Sequence, residues 1–268
     1  MVPKFSFDRK RMDALLSEFG EILSRDPTGI DPSDDTWAEI GYLCLAAKNA
    51  GPRFRTLILG AAPGEWALRA ERLYNKVNPD GDYLSLNIEG DIGHLKMTEE
   101  YWKANHANLD LNKLRYAVVS ARDGWAYFPV INSESDWGAG MAAWSENSHD
   151  LQNNITLTET AKLDRIAANG GKPLEFLTVK AFSLETLLNE IGNVDFIHSD
   201  IQAHEGEVFC NNVDILDKLV KMVCIATHGT ELEERLSTTF HELGWELEAS
   251  WPCRTGRDGT FVWSNPRF

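Results

Sequence analysis

Leu57-Ile58-Leu59-Gly60-Ala61-Ala62-Pro63-Gly64-Glu65-Trp66 is the stretch that decides the fold. It opens inside a wholly apolar run, TLILG over residues 56–60, as expected of a strand buried on both faces of a parallel sheet. Small residues follow, and then EWALRAERLYN (65–75) reads as a helix. Gly60 permits a sharp turn, and Gly64 lets backbone approach a ligand closely. Amides at the helix start point into the same space. No GK[ST] ending makes this a phosphate loop, and GxGxxG is absent.

The pattern repeats downstream. YLSLNIE (83–89) is a strand, 91–106 a helix, RYAVVSA (115–121) a strand, and VDFIHSD (194–200) and KMVCIATH (221–228) are two more apolar strands followed by helical segments. Alternating strands and helices imply an α/β fold, a mostly parallel sheet with helices on both faces. WELEAS (245–250) and TFVWSN (260–265), with Asp258-Gly259 as a turn, predict an antiparallel C-terminal edge. Residues 122–183 break the alternation. DGWAYFPV (123–130), ITLT (155–158) and LEFLTVKAF (174–182) read as extra strands around a long polar connection. Upstream, apolar residues in 8–24 and 33–49 recur at helical spacing. The chain therefore divides into an N-terminal helical extension (1–52) and one domain (53–268) with an insertion at about 122–183.

Composition limits the function. The 268 residues carry 26 Lys and Arg against 41 Asp and Glu, a formal charge of −15. Such a chain repels phosphate backbones and anionic membranes, so neither nucleic acid nor membrane is an expected partner. No apolar run approaches the roughly 18–20 residues of a membrane helix. The opening MVPKFSFDRKRMD lacks a signal-peptide core, and a cytoplasmic location is the expectation. Cys44, Cys210, Cys224 and Cys253 are widely spaced without a CxxC pair and read as buried thiols rather than zinc ligands.

The strand after the glycine turn ends in Asn87-Ile88-Glu89. An acidic group there, about 25 residues beyond the turn, can accept two hydrogen bonds from a ribose diol. Turn and carboxylate together point to an adenosine-type ligand. With no pyrophosphate requirement in the turn, S-adenosylmethionine is the natural candidate.

At this point the chain resembles the FkbM family of class I methyltransferases over roughly residues 55–267. The resemblance rests on Gly60-Ala-Ala-Pro-Gly64-Glu-Trp66, on Glu89, and above all on Val194-Asp-Phe-Ile-His-Ser-Asp-Ile-Gln-Ala-His-Glu205. Ile225-Ala-Thr-His228 and a closing Asp258-Gly, Val262-Trp and Asn265-Pro-Arg267 add to it. It implies a Rossmann-like class I methyltransferase sheet and methyl transfer from S-adenosylmethionine, usually to a hydroxyl of a sugar or natural product. Gly60, Ala61, Ala62, Pro63 and Gly64 would cradle the amino-acid part of the cofactor, with Glu65 and Trp66 opening the helix beside it. Asn87, Ile88 and Glu89 would meet ribose and adenine, and Ser120 and Ala121 would flank the adenine. Asp200 and Ile201 would sit by the transferred methyl. The chain departs from the pattern at Ile58, where an acid is common, and at Ala203, where glycine is usual. His204 there can reach the acceptor.

The carboxyl ends of neighbouring strands in an open α/β sheet form its ligand crevice. His198, Asp200, His204, Glu205 and His228 are expected to converge there. Methyl transfer to a hydroxyl needs a base, and a neutral imidazole suits the task. His228 is the first choice, then His204, each with the alternative of a hydrogen-bonded structural histidine. The same mixed N/O donors admit a divalent ion, to which no HxH or HExxH spacing commits. Trp137, Met141 and Trp144, among glycines in the 131–150 loop, suit closure over a small-molecule acceptor. Two other readings stay open: an FtsJ-like RNA ribose methyltransferase, for which the charge is wrong, and a non-catalytic binding protein. The N-terminal helix pair suits a homodimer contact or a lid.

Overall fold

The computed structural model describes residues 9–23, 35–130, 140–148, 150, 175–254 and 258–268. In chain order its strands are β1 (Arg53–Leu59), β2 (Asp82–Glu89), β3 (Asn112–Tyr116), β4 (Val118–Ser120), β5 (Gly124–Val130), β6 (Ala143–Ser145), β7 (Glu175–Ser183), β8 (Phe196–Ser199), β9 (Met222–Thr227), β10 (Glu246–Trp251) and β11 (Gly259–Ser264). A seven-stranded sheet runs β10-β11-β9-β8-β1-β2-β3. β8, β1, β2, β3 and β9 pair in parallel, while β11 runs antiparallel to both β9 and β10. This is the expected α/β sheet with its antiparallel C-terminal edge.

Period-two alternation sends side chains to two apolar layers. Phe54, Ile58, Phe196, Cys224 and Val262 face one, against α1 (Arg9–Glu18), α2 (Gly20–Leu23), α3 (Asp35–Asn49) and α4 (Glu65–Val77). Leu57, Leu59, Ile197, Val223, Ile225 and Phe261 face the other. That layer is closed by α6 (Leu184–Ile191), α7 (Glu205–Cys210), α8 (Val213–Leu219) and α9 (Thr230–Glu242). α5 (Ile92–Ala104) lies between β2 and β3 in the chain. The N-terminal helices share the core of the sheet: Met12, Phe19, Ile40 and Leu43 are buried with Phe54 and Phe196. Cys44 and Cys224 are buried as expected, whereas Cys210 and Cys253, also expected to be buried, are only partly so.

The run read as one strand over 115–121 is two. β3 completes the main sheet, and β4 joins a second sheet of order β4-β7-β5-β6. The handover is at Ala117, whose amide still bonds Glu89 O at 3.0 Å. Gly90 lies opposite, where a Cβ would stand 2.7 Å from Val118 Cγ1 and 2.9 Å from Phe128 Cε2. The insertion strands expected at 123–130 and 174–182 are present as β5 and β7. The one expected at 155–158 lies outside the described residues. No helix among the described residues is long and apolar enough to cross a membrane.

Candidate functional site

The carboxyl ends of β1, β2 and β8 open onto one cleft. Gly60, Ala62, Ile88, Glu89, Asp200 and Ile201 line it. Gly60 turns the chain out of β1 with φ +79°, and a Cβ on it would lie 2.0 Å from the Asp200 carbonyl oxygen. Glycine is thus needed for both conformation and space. Gly60 N and Ala61 N donate to Ile88 O at 3.0 and 3.1 Å. Glu89 ties the turn from its side chain: Ala62 N donates to Oε2 at 3.2 Å and Asp91 N to Oε1 at 2.8 Å. Burial pushes the Glu89 carboxyl up, against the lowering effect of those amides. Each oxygen keeps a further lone pair for a ligand hydroxyl.

The same cleft holds residues the sequence reading did not single out. Gly90, His94, Ala117, Val118, Val119 and Phe128 line it. Asp91 caps α5, accepting from His94 N at 2.8 Å, and places His94 on the wall. An Asp three residues before a histidine at a helix start was a readable signal. Phe128 had none, because it arrives from the second sheet.

Several expected cofactor residues stand elsewhere. Asn87 is buried two positions before Glu89 in β2, accepting from Ser85 Oγ at 3.2 Å and donating to Lys113 O at 3.2 Å, and does not line the cleft. Trp66 stacks on His198 with ring centroids 4.0 Å apart. Gly64, at φ +100°, accepts from Trp102 Nε1 at 2.8 Å. Ala61, Pro63, Gly64, Glu65 and Trp66 are not among the residues that line the cleft. Ser120 and Ala121 line a second cavity of about 980 Å³, with Arg122, Trp144, Glu185, Glu207 and Asn211. The break at Ala117 moves them there, leaving Val118 and Val119 in the place expected for them. Met141 and His204 line both cavities and mark where they meet. Trp137 lies outside the described residues.

The histidines separate by role. His198 is 4% exposed, on the Phe196 side of β8. Its Nε2 lies 3.4 Å from Glu39 Oε2, and Glu39 Oε1 accepts from Thr260 Oγ1 at 2.8 Å. The expected catalytic role is thus closed to His198, which is sealed from the cleft. His228 follows β9. Its Nε2 lies 3.3 Å from Asp200 Oδ1 and 3.8 Å from Asp258 Oδ2, and its Nδ1 lies 3.2 Å from Glu205 Oε1. Burial alone would lower this imidazole, but the Asp200 and Glu205 carboxylates outweigh it and push it up to about 10. Ala203 N also donates to Nδ1 at 3.2 Å, and carboxylates crowd both edges of the ring, which argues against the expected base role for His228. Burial likewise works against the Asp200 carboxylate, which the contact with His228 nonetheless holds below the usual range.

Gln202 and Ala203, at φ +54° and +71°, make the turn between Asp200 and Glu205 left-handed. For an alanine that conformation costs about 1–2 kcal/mol. It carries the fully buried Glu205 back to accept from Ile201 N at 2.9 Å and leaves half-buried His204 between the two cavities. His204 Nδ1 lies 3.2 Å from Gln202 O. A carbonyl can only accept, so Nδ1 carries the hydrogen and Nε2 the lone pair.

No protein-family model matches the chain, so the FkbM resemblance gains no support from that side. Over 223 residues the chain is 27% identical to a protein of Jannaschia sp. (strain CCS1) named "Putative methyltransferase", covering 81% of this chain and 71% of that one. Among solved structures it is similar to a METTL16 MTase domain, with a TM-score of 0.46, 12% identity, and coverage of 97% of this chain and 82% of that chain. It is likewise similar to the methyltransferase FkbM from Methylobacillus flagellatus KT, with a TM-score of 0.46, 10% identity, and coverage of 95% and 58%. Likeness at these levels assigns neither chemistry nor substrate.

Proposed function

We propose that this chain is an S-adenosylmethionine-dependent methyltransferase acting on a hydroxyl of a small, polar molecule. The observation that carries the reading is the Gly60–Ala62 turn tied to the buried Glu89 carboxylate, with Asp200 on the facing wall of the same cleft. Glu89 receives the ribose hydroxyls. The apolar wall of Val118, Val119 and Phe128 takes the adenine. The relative's name agrees with this chemistry.

The acceptor enters through the second cavity, whose Trp144, Asn211, Glu185 and Glu207 suit a hydroxyl-rich ligand. At the junction, His204 Nε2 takes the hydroxyl proton. Bound in the cleft, S-adenosylmethionine would supply the methyl group to the acceptor oxygen and would leave as its neutral thioether, the bonding pair retained on sulfur. An RNA ribose acceptor fits poorly with a formal charge of −15.

Calorimetric titration with S-adenosylmethionine and its demethylated product tests the core of the reading. One site per chain is expected, and no heat for either compound rejects it. His204→Ala is expected to bind cofactor as the parent does and to lose turnover by about 10²-fold or more, the scale of a general base. Full turnover in that variant removes the base assignment alone.

A further inference from the structure

Resting on the methyl-transfer reading above, we infer that His228 is a positioning residue for His204. It sets which ring nitrogen of His204 carries the hydrogen, through the single peptide group between Gln202 and Ala203, and does so only while its own Nδ1 is unprotonated.

The coupling runs through one plane. The carbonyl of Gln202 and the N–H of Ala203 belong to the same peptide group, which is rigid and points its oxygen and its hydrogen in opposite directions. The N–H end donates to His228 Nδ1 at 3.2 Å. The carbonyl end lies 3.2 Å from His204 Nδ1. Turning the plane at one end therefore turns it at the other. The two flanking residues are left-handed, at φ +54° for Gln202 and +71° for Ala203, a conformation that residues other than glycine keep where their surroundings impose it. The start of the turn is pinned separately: Asp200 N donates to Leu59 O at 2.9 Å and Ile201 N to Glu205 Oε1 at 2.9 Å. Gly140, on the same cleft, leaves room for the carbonyl, since a Cβ there would stand 3.1 Å from Gln202 O.

His228 Nδ1 faces a second partner at the same distance, Glu205 Oε1 at 3.2 Å. The two partners are opposed in kind. An amide hydrogen needs a lone pair on Nδ1, and a carboxylate needs a hydrogen there. Neutral His228 keeps its hydrogen on Nε2, toward Asp200 Oδ1 at 3.3 Å and Asp258 Oδ2 at 3.8 Å, and holds the peptide. Protonated His228 gives Nδ1–H to Glu205 and releases it. Asp200, Glu205 and Asp258 are the charged groups that face the ring among the described residues, and the first two favour the protonated form. With the peptide held, Gln202 O keeps the hydrogen of neutral His204 on Nδ1 and the lone pair on Nε2, where the two cavities meet. With it released, that preference is lost. Proton loss from His228 thus readies the base.

The test uses the full chain with isotope-labelled histidine, because ring-nitrogen NMR distinguishes the two tautomers of a neutral imidazole. The pH is raised from neutrality through the titration of His228. In the parent the His204 hydrogen is expected to move to Nδ1 as His228 loses its proton. His228→Asn sets an oxygen as many bonds from Cβ as Nδ1, an acceptor that does not titrate, and its His204 should carry Nδ1–H throughout. His228→Ala should show no such shift at any pH. A His204 tautomer that ignores the titration of His228 in the parent overturns the coupling. So does a tautomer that is the same in the Asn and Ala variants. Should His228→Ala not fold, the parent and His228→Asn still decide: an Asn variant that lacks Nδ1–H overturns the peptide link. S-adenosylmethionine titrated into the parent separates the two readings. Binding without the coupled tautomer overturns this inference alone, and the coupled tautomer without binding rejects the methyl-transfer reading alone.

Discussion

Glu89→Gln is the perturbation that separates binding chemistry from folding in this cleft. The carboxylate now accepts Asp91 N at 2.8 Å and Ala62 N at 3.2 Å, one on each oxygen. Glutamine keeps one oxygen and turns an NH₂ toward the other amide. That buried N–H is left unsatisfied, at a cost of about 1–3 kcal/mol to folding. The ribose hydroxyls meanwhile lose a charged acceptor, and hydrogen bonds to charged groups are worth about 1.5–3 kcal/mol. At 1.4 kcal/mol per decade, the cofactor should bind roughly 10- to 100-fold more weakly. Urea unfolding measures the first loss and calorimetric titration with S-adenosylmethionine the second. A folded variant that binds within twofold of the parent would refute the ribose assignment. Burial has pushed this carboxyl up, so parent affinity should also start to fall at a higher pH than an ordinary glutamate would dictate.

Three further outcomes follow from the same geometry. Gly60→Ala puts a methyl 2.0 Å from backbone oxygen at φ +79°; we expect a stability loss of at least about 1–2 kcal/mol, read as a lower urea midpoint, together with collapse of cofactor binding. An unshifted midpoint would mean that β1 and β8 are not so closely apposed. His198→Ala removes one partner of the buried Glu39 carboxyl, which keeps Thr260 Oγ1, at a cost of about 1–3 kcal/mol. In whatever fraction stays folded, turnover per bound cofactor should persist, and its selective loss would return His198 to the chemistry. Finally, the raised His228 pKa makes its contribution to stability complete below about pH 6.5 and lost as pH rises through about 10. Melting temperature of chelator-treated protein should fall across that window, and less so in His228→Gln. Equal slopes would contradict the carboxylate clamp.

What the sequence could tell divides along local and non-local lines. The apolar strands at 56–60, 83–89, 194–200 and 221–228, the glycine turn and the terminal antiparallel pair are local patterns, and these stand where the periodicity puts them. The split at Ala117 is not local. RYAVVSA reads as an unbroken apolar strand, and the chain changes sheet there beside the tight packing of Gly90 against Val118 and Phe128. Ser120 and Ala121 consequently line the second cavity, and Phe128 reaches the first from the other sheet. Alternation along β8 puts His198 on the face of Phe196, away from the opposite layer. Its partner Glu39 lies 159 positions away, beyond the reach of any motif. The convergence of Asp200, Glu205 and His228 was legible from strand adjacency alone. The sequence did not reveal that carboxylates would crowd both edges of the imidazole.

The reach of Glu39 from α3 to His198 and Thr260 also bears on how the protein should be handled. A shortened clone starting at Arg53 would look like a clean Rossmann-type unit on paper. It would bare the apolar surface that Ile40 and Leu43 now cover. It would also strip the imidazole stacked on Trp66 of its buried carboxyl partner Glu39. Loss of activity on trimming this leader would therefore report a scaffold coming apart, and should not be taken as evidence that the leader touches the acceptor.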